Sequence, residues 1–325
     1  MGEGRMPSCD DSGLCGTDSG TADSTSGSRT VTVPDAAALA RLETDPAALE
    51  RRLRRALDDG EIVTWFQPQV RLDDRSLVGF EALVRWHHPE FGLLMPARFI
   101  RVAERRGIAA ELDLFGLEQG VGLLQQLDGD AAGPRPPLHL SANITPDFAA
   151  ARGFADRVSD IVARAGMPPE RITLEITERG PIANWRTAWR NVRRLRRAGF
   201  RIALDDFGAG YSSLGLLKEL PVDEIKVDRL FLRRGAPEDI AILTAILQIA
   251  RTLKLHVLAE GVENAEQEQR LRALGCEMVQ GFRYGRPMPI EEVPEFVARW
   301  PAGAPFMQKA DVAMPEPAPG IGDGL

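Results

Sequence analysis

The hydrophobic positions change their period along the chain, and these changes predict its secondary structure. After an Asp-Pro pair, Leu49, Leu53 and Leu57 recur every four residues, which predicts an amphipathic helix. Gly60 ends that helix. The next two runs, residues 62–70 and 77–86, are apolar and bounded by polar residues, so we interpret them as β-strands.

The connection between these first two strands fixes their relative direction. It consists of six residues, "RLDDRS", at 71–76. A parallel crossover needs about a dozen residues or more. If the two strands are neighbours, they must therefore run antiparallel.

Beyond residue 130 the pattern becomes a regular alternation of strand and helix. The strand-like runs are residues 138–143, 171–177, 201–206, 224–228, 256–260 and 277–281. Helical periods separate them, such as "DIAILTAILQIARTL" at 239–253. Eight strands with intervening helices predict an α/β fold, a (β/α)8-like TIM barrel with an antiparallel first strand. A doubly wound open sheet is the alternative.

Polar residues fall at or near the carboxyl ends of the predicted strands from the second onwards. They are Glu81, Asn143, Glu175, Glu178, Asp205, Asp206, Lys226, Asp228, Glu260, Glu263 and Gln280. Any one of them could be a solvated residue at a strand end. In a barrel, however, the carboxyl ends of the strands converge on one mouth, where active sites lie. The set as a whole therefore predicts a single site.

The chemistry of this set favours hard divalent cations. Crowded carboxylates repel one another unless protons or cations neutralise them. Carboxylate and amide oxygens are the ligands that Mg²⁺ and similar ions prefer, and the set contains no histidine or cysteine that would indicate zinc. The adjacent pair Asp205 and Asp206 could bind two ions. Two such ions activate water and stabilise phosphoryl transfer, so a phosphate ester is the expected substrate.

Composition and charge narrow the class of protein. The chain has 325 residues, 44% hydrophobic and 27% charged, as is typical of a globular protein. A formal net charge of −7 disfavours attraction to a nucleic acid polymer. No apolar run is long enough for a membrane span and the N-terminus lacks an apolar signal core, so we expect a cytoplasmic protein.

The ends of the chain differ in composition from its middle. Residues 1–33 are rich in Gly, Ser, Asp and Thr, which predicts a disordered tail. Residues 302–325 are rich in Pro and Gly, and this composition predicts a flexible C-terminal tail. The barrel domain is expected over 34–301, with its core at about 47–300. The three cysteines predict no disulfide framework, and Cys276 is expected to be a small buried residue.

A glycine-rich loop, "DDFGAGYSS", follows the fifth predicted strand. It begins like a dinucleotide-binding loop but has Ser213 where the third glycine belongs, and the two acidic residues before it would repel a pyrophosphate. We interpret it as an active-site loop and keep nucleotide binding as the weaker alternative.

Taken together, these motifs resemble the EAL-domain family of cyclic di-GMP phosphodiesterases over residues 50 to about 300. The matching segments are "QP" at 67–68, "FEALVRW" at 80–86, "HPEFGLLMPARFI" at 88–100, "SANIT" at 141–145, "LEITE" at 174–178, "LDDFGAGYSSL" at 204–214, "LPVDEIKVDRLF" at 220–231, "AEGVE" at 259–263 and "QGFRYGRP" at 280–287. The resemblance implies a barrel with an antiparallel first strand. It also implies hydrolysis of cyclic di-GMP to linear 5′-pGpG with two Mg²⁺ or Mn²⁺ ions. Because Ca²⁺ prefers longer bonds and looser geometry than Mg²⁺, we expect it to inhibit turnover.

The resemblance also assigns roles to individual residues. The implied metal ligands are Glu81, Asn143, Glu175, Asp205 and Asp206, with Asp205 bridging the two ions. The implied catalytic residues are Lys226 beside the attacking water, Glu260, Gln280 and Glu178, the last supporting the glycine-rich loop. The implied substrate contacts are Gln67, Leu83, Arg85, Asp228 and Glu263, with Arg85 near a phosphate.

Two alternatives stay open, one for the function and one for Lys226. Ala209 and Thr145 depart from frequent family residues, although neither is an implied ligand. A non-catalytic cyclic di-GMP receptor or protein-interaction module on the same fold is the rival function, and the complete metal set favours the enzyme. Lys226 could also serve as a structural salt bridge to a strand-end acid such as Asp228 or Asp206. A homodimer formed through the barrel is a further expectation.

Overall fold

The strands close into one barrel, as seen in a computed structural model of the chain. The structure describes residues 46–130, 136–177, 185–208, 217, 220–233 and 235–300. The predicted tails, 1–33 and 302–325, and the predicted site residue Glu178 lie outside these ranges.

Ten strands occur among the described residues. They are β1 (Ile62–Arg71), β2 (Leu77–His88), β3 (Gly92–Leu94), β4 (His139–Ile144), β5 (Ile172–Thr177), β6 (Arg201–Phe207), β7 (Glu224–Val227), β8 (His256–Ala259), β9 (Met278–Gln280) and β10 (Met288–Pro289).

The described helices lie mainly between these strands. The α-helices are α1 (Pro46–Asp58), α2 (Ile100–Arg105), α3 (Ala109–Gly129), α4 (Pro146–Ala149), α5 (Phe154–Arg164), α6 (Trp185–Arg197), α7 (Leu230–Arg233), α8 (Pro237–Leu253), α9 (Ala265–Leu274) and α10 (Val293–Arg299). Short 3₁₀ helices cover Pro96–Arg98, Pro169–Arg171 and Ile290–Glu292.

Eight of the strands form the barrel wall. Their order is β1, β2, β4, β5, β6, β7, β8 and β9, and β9 pairs with β1 to close the ring. The short strands β3 and β10 add to the edges of β2 and β1. This closure confirms the (β/α)8-like barrel, and the open doubly wound sheet is wrong.

Strand β1 is antiparallel to both of its barrel neighbours, whereas the other barrel pairs are parallel. The turn after β1 explains this. The N–H of Arg71 donates to the Ser76 carbonyl at 2.9 Å, and the N–H of Ser76 donates to Oδ1 of Asp74 at 2.9 Å. Arg75 adopts a φ of 59°. The chain therefore reverses within a few residues, as the length of the connection predicted.

Helix α6 covers the barrel with one apolar face. In α6, the side chains of Ala188, Val192 and Leu195 are buried at intervals of four and three residues. This spacing puts all three on one side of the helix, against the outer face of the strands. The hydrophobic stripe predicted for α1 is also present, since Leu49 and Leu53 are buried.

A second apolar cluster determines where α2 sits. It joins Leu53 of α1, Trp86 of β2, and Phe99 and Val102 beside or within α2. The rings of Trp86 and Phe99 meet edge to face, with centroids 5.8 Å apart. This packing holds α2 close to the carboxyl end of β2, so α2 becomes a wall of the site described below.

Two smaller expectations can be compared with the structure. Cys276 is buried, and burial raises the pKa of its thiol to about 12, which confirms a structural rather than a reactive residue. In the described part of the chain, no helix has the length and apolar character needed to cross a membrane.

Candidate active site

The barrel brings the predicted strand-end residues together. Glu81 lies in β2, Glu175 in β5, Asp205 in β6 and Lys226 in β7, and Glu260 directly follows β8. Their side chains meet inside the barrel at its carboxyl mouth, as the contacts below show. The parallel register accounts for this, because it aligns equivalent ends of successive strands.

Lys226 is at the centre of this group. Its side chain is 0% exposed, and its Nζ lies 2.6 Å from Oε2 of Glu175 and 2.8 Å from Oε1 of Glu260. The same Nζ lies 3.4 Å from Oε1 of Glu81 and 3.4 Å from Oδ1 of Asp205. One ammonium group therefore faces four carboxylates, which we call the Lys226 cluster.

The ion pairs of Lys226 are with acids of the predicted metal and catalytic sets. The salt-bridge interpretation had named Asp228 or Asp206. Asp228 instead accepts a hydrogen bond from the N–H of Leu230 at 2.7 Å, close to the start of α7. Lys226 thus forms salt bridges, and its partners are the acids predicted as metal ligands and catalytic residues.

The pKa values of the cluster reflect its excess of negative charge. Burial raises the pKa of Glu175 well above its usual value, even though Lys226 opposes this. Burial likewise raises the pKa of Glu260 to about 8. Glu81 is also buried, but the Lys226 charge and hydrogen bonds from Gln280 and Asn143 outweigh that effect and lower its pKa. The four carboxylates therefore cannot all be ionised cheaply beside a single lysine.

Buried oxygens without hydrogen bonds indicate which kind of ligand the Lys226 cluster can bind. Oε1 of Glu175 is buried and has no hydrogen-bond partner, and the buried Oδ1 of Asp205 has none beyond its 3.4 Å ion pair with Lys226. Leaving such oxygens unpaired is costly. Carboxylate oxygens of Asp205, Asp206 and Glu260 also lie within 4.8 Å of one another. An all-oxygen donor set with unsatisfied buried oxygens and excess negative charge fits hard divalent cations.

A backbone irregularity allows two adjacent aspartates to serve one site. Neighbouring side chains in a regular strand point to opposite faces. Asp206 departs from this geometry with a φ of 55°, and the register between β6 and β7 shifts between Leu204 and Phe207. Aspartate tolerates this left-handed conformation better than most residues. The shift lets Asp205 and Asp206 both approach Glu260.

An amide network supports Glu81 from the side of β1. Nε2 of Gln280 donates to Oε2 of Glu81, and to Oε1 of Gln67 at 3.0 Å. Nε2 of Gln69 donates to Oε1 of Gln280 at 3.1 Å and to Oγ of Ser141 at 3.2 Å. On the β4 side, Nδ2 of Asn143 donates to Oε1 of Glu81 at 2.9 Å. These contacts fix the Glu81 carboxylate in place.

The sequence reasoning missed three residues beside the site. Gln69 and Ser141 belong to the amide network, and the alternation in β1 contained the signal for Gln69, because Gln67 and Gln69 share one strand face. Asp113 of α3 is buried and accepts bonds from both the N–H and Oγ1 of Thr145, at 2.7 and 2.8 Å. Burial raises its pKa to about 7.

A cavity of about 930 Å³ opens next to the cluster. Glu81, Asn143 and Asp205 line one part of it, and residues of α2 line another. This volume is in the range of small-molecule sites. Leu83, a predicted substrate contact, also lines the cavity.

The other predicted substrate contacts are placed differently. Arg85 is only 3% exposed, its Nε has no partner, and burial lowers its pKa to about 10. Gln67 is buried in the amide network. Glu263 is exposed, and its backbone N–H donates to Oε1 of Gln267. Neither Glu263 nor Asp228 lines the cavity, so their contacts with a substrate stay predictions.

Comparison with known proteins agrees with this geometry. A family model described as "EAL domain" matches residues 50–287. The cyclic di-GMP phosphodiesterase RocR of Pseudomonas aeruginosa is 38% identical over 237 residues, which cover 72% of this chain and 59% of RocR. The bifunctional diguanylate cyclase/cyclic di-GMP phosphodiesterase MucR of the same organism is 38% identical over 249 residues, covering 76% of this chain and 36% of MucR.

A solved structure shares the fold. The structure of the MucR phosphodiesterase in complex with cyclic di-GMP superposes with a TM-score of 0.70 and 36% identity. The match covers 76% of this chain and 99% of that chain. The chain spans 59% of RocR and 36% of MucR, and so corresponds to a part of each. The chain belongs to the EAL domain family.

Proposed function

We propose that the chain hydrolyses cyclic di-GMP to linear 5′-pGpG with two divalent cations. The main support for this proposal is the Lys226 cluster, in which one lysine faces four carboxylates and two buried carboxylate oxygens have no hydrogen-bond partner. Such a site attracts hard cations strongly. The phosphodiesterase names of RocR and MucR support the choice of substrate.

The predicted ligands divide between two ions. Glu81, Asn143, Glu175 and Asp205 would hold the first, and Asp206 would join Asp205 on the second. When bound, such cations lower the pKa of a water molecule and stabilise charge on the phosphoryl oxygens. Mg²⁺ and Mn²⁺ are the expected ions because every donor in the set is oxygen.

Lys226 and Glu260 are the proposed proton-handling pair. Nζ of Lys226 carries three donors and can orient the attacking water with one of them while it pairs with carboxylates. Glu260 has the most exposed carboxylate of the cluster, with 22% of its side chain accessible, against 12% for Asp205. Its carboxylate is therefore the best placed of the four to pass a proton to solvent. Gln280 holds Glu81 in position, and Glu178 is proposed to support the glycine-rich loop.

The proposed substrate contacts follow from the cavity. Leu83 lines it, and the unpaired Nε of the buried Arg85 is available to a ligand that reaches it. Gln67, Asp228 and Glu263 complete the proposed set. A non-catalytic receptor would need the same cavity but not the metal-binding carboxylates, and their presence favours the enzyme.

Removing metal ions is expected to abolish hydrolysis. Purified protein treated with EDTA and then dialysed should leave cyclic di-GMP intact, and adding Mg²⁺ or Mn²⁺ should restore its conversion to pGpG, measured by chromatography. A circular dichroism spectrum of the metal-free protein is the control that it stays folded. Hydrolysis that persists after thorough chelation would overturn the two-metal proposal.

Calcium is expected to separate binding from turnover. Ca²⁺ neutralises the same oxygens but prefers longer bonds and looser geometry than Mg²⁺. Calorimetry in Ca²⁺ should therefore detect binding of cyclic di-GMP, while hydrolysis stays far below its rate in Mg²⁺. Equal rates with the two ions would contradict this expectation.

A homodimer formed through the barrel and a cytoplasmic location stay predictions of the proposal. Size-exclusion chromatography with light scattering, with and without cyclic di-GMP, measures the first. A monomer under both conditions would remove the dimer from the proposal.

A further inference from the structure

One wall of the cavity carries positive charge that the metal site does not use. Arg101 and Arg105 of α2 line the same cavity as Glu81 and Asp205. They are four residues apart and so lie on one face of the helix, one turn from each other. Both side chains are exposed. We call these two residues the α2 arginine pair.

The α2 arginine pair forms no salt bridge with the described residues. Within the described ranges, neither guanidinium lies within 4 Å of a carboxylate oxygen, whereas the next arginine, Arg106, contacts Oε2 of Glu50 at 3.3 Å. The acid nearest the pair along the helix is Glu104, which also lines the cavity. Asp147 of α4 also acts on Glu104, but it does not line the cavity, so the two guanidiniums outnumber the one carboxylate among these three lining residues.

A cyclic dinucleotide has a charge that this wall matches. It contains two phosphodiesters, and the metal site can bind only the one that is cleaved. The other keeps its negative charge and must lie elsewhere in the same cavity. Arg85, the proposed phosphate contact in β2, is buried and does not itself line the cavity, so it does not account for a phosphodiester held at the α2 wall. Guanidinium groups are the preferred partners of phosphate oxygens in proteins.

We propose that Arg101 and Arg105 form a second phosphate subsite that binds the uncleaved phosphodiester. This inference rests on the proposed function. The pair holds one phosphodiester of the ligand while the other lies at the Lys226 cluster, whose carboxylates would hold the cations. It contributes to substrate affinity and leaves the chemical step unchanged.

Substitutions of the pair test the subsite by calorimetry with cyclic di-GMP in Ca²⁺, and by hydrolysis in Mg²⁺. The double variant Arg101→Gln/Arg105→Gln should bind about tenfold more weakly and show a similarly raised KM, with kcat within about threefold of the original. Arg106→Gln is the matched control, because it removes a neighbouring guanidinium that faces Glu50, and its affinity should change less than twofold. Thermal melts confirm that all variants fold.

A lysine variant distinguishes phosphate from a guanine edge. Lysine binds phosphate as a point charge but lacks the rigid planar fork that arginine presents to a base edge. Arg101→Lys/Arg105→Lys should therefore recover most of the affinity lost in the glutamine variant. Raising the salt concentration should weaken the binding of cyclic di-GMP to the original protein more than its binding to the glutamine variant.

Each other outcome counts against the subsite. Unchanged affinity of the glutamine variant would show that the pair does not touch the ligand. Equal losses in the lysine and glutamine variants would assign the pair to a base instead. If the unaltered protein neither binds nor hydrolyses cyclic di-GMP, the proposed function itself fails.

Discussion

Replacing Lys226 with methionine is expected to lower kcat by about 10²- to 10³-fold, the typical cost of removing one preorganised group from a reaction site. Methionine keeps much of the length of the side chain but removes Nζ, which lies within 3.4 Å of four carboxylates. With divalent cations supplied, the site keeps its neutralising charge, so cyclic di-GMP should still bind in Ca²⁺.

The same variant should be less stable without metal. Removing one partner of a buried ion pair typically costs about 3–5 kcal/mol, because the other charge stays behind. Here protonation of Glu175 and Glu260 relieves part of that cost, since burial already raises both pKa values. Unfolded glutamates are ionised above their ordinary pKa of about 4.3. Folding therefore takes up protons, and the stability of the metal-free variant should fall as the pH rises from 6 to 8.

Three measurements separate the roles of Lys226. They are turnover in Mg²⁺, calorimetric binding in Ca²⁺ and thermal melts in EDTA at pH 6 and pH 8. Lys254→Met is the matched control, because Lys254 is an exposed residue after α8. A near-normal kcat for Lys226→Met would remove Lys226 from the mechanism. A protein that fails to fold even with Mg²⁺ would assign it a structural role alone.

Replacing Glu81 with glutamine is expected to abolish metal binding and activity together. Glutamine has nearly the same shape, but its NH₂ group takes the place of one of the two carboxylate oxygens that now accept from Asn143 and Gln280. The substitution therefore removes a charge and one accepted hydrogen bond, and a thermal melt checks that the variant still folds. Mutating groups that merely support metal ligands costs about 10- to 100-fold in affinity or activity, and loss of a ligand should cost at least as much.

Glu224→Gln is the matched control for Glu81. Glu224 is another buried glutamate, in β7, and burial raises its pKa to about 7, so much of it is already neutral near that pH. Its replacement should change Mn²⁺ affinity and turnover little. Calorimetric titration with Mn²⁺ and hydrolysis in the same buffer provide the comparison. If Glu81→Gln loses activity but binds two Mn²⁺ ions normally, Glu81 is not a ligand.

The barrel could be predicted because its determinants are local. Each strand shows in a short apolar run, and the six-residue connection after residue 70 alone sets the direction of the first strand. The convergence of the strand-end residues then follows from the topology. Bounds differ slightly from the predicted ones, as hydrogen bonding extends β2 to His88 where the apolar run ends at Trp86.

The contacts within the site could not be predicted in the same way. The four ion pairs of Lys226 join β7 to β2, β5, β6 and the end of β8, and such distances exist only once the barrel has closed. The residues that flank Asp206 in the sequence do not predict its left-handed backbone conformation. Asp113 looks like an ordinary polar helix residue until the loop carrying Thr145 packs against it.

The most direct test is hydrolysis of cyclic di-GMP in ¹⁸O-labelled water with Mg²⁺ or Mn²⁺, followed by mass spectrometry of the product. Attack of water on phosphorus with loss of the 3′ oxygen predicts linear 5′-pGpG that carries one ¹⁸O atom on its 5′-phosphate. Cyclic di-GMP that binds to the folded, metal-loaded protein and stays intact would contradict the account and favour a receptor.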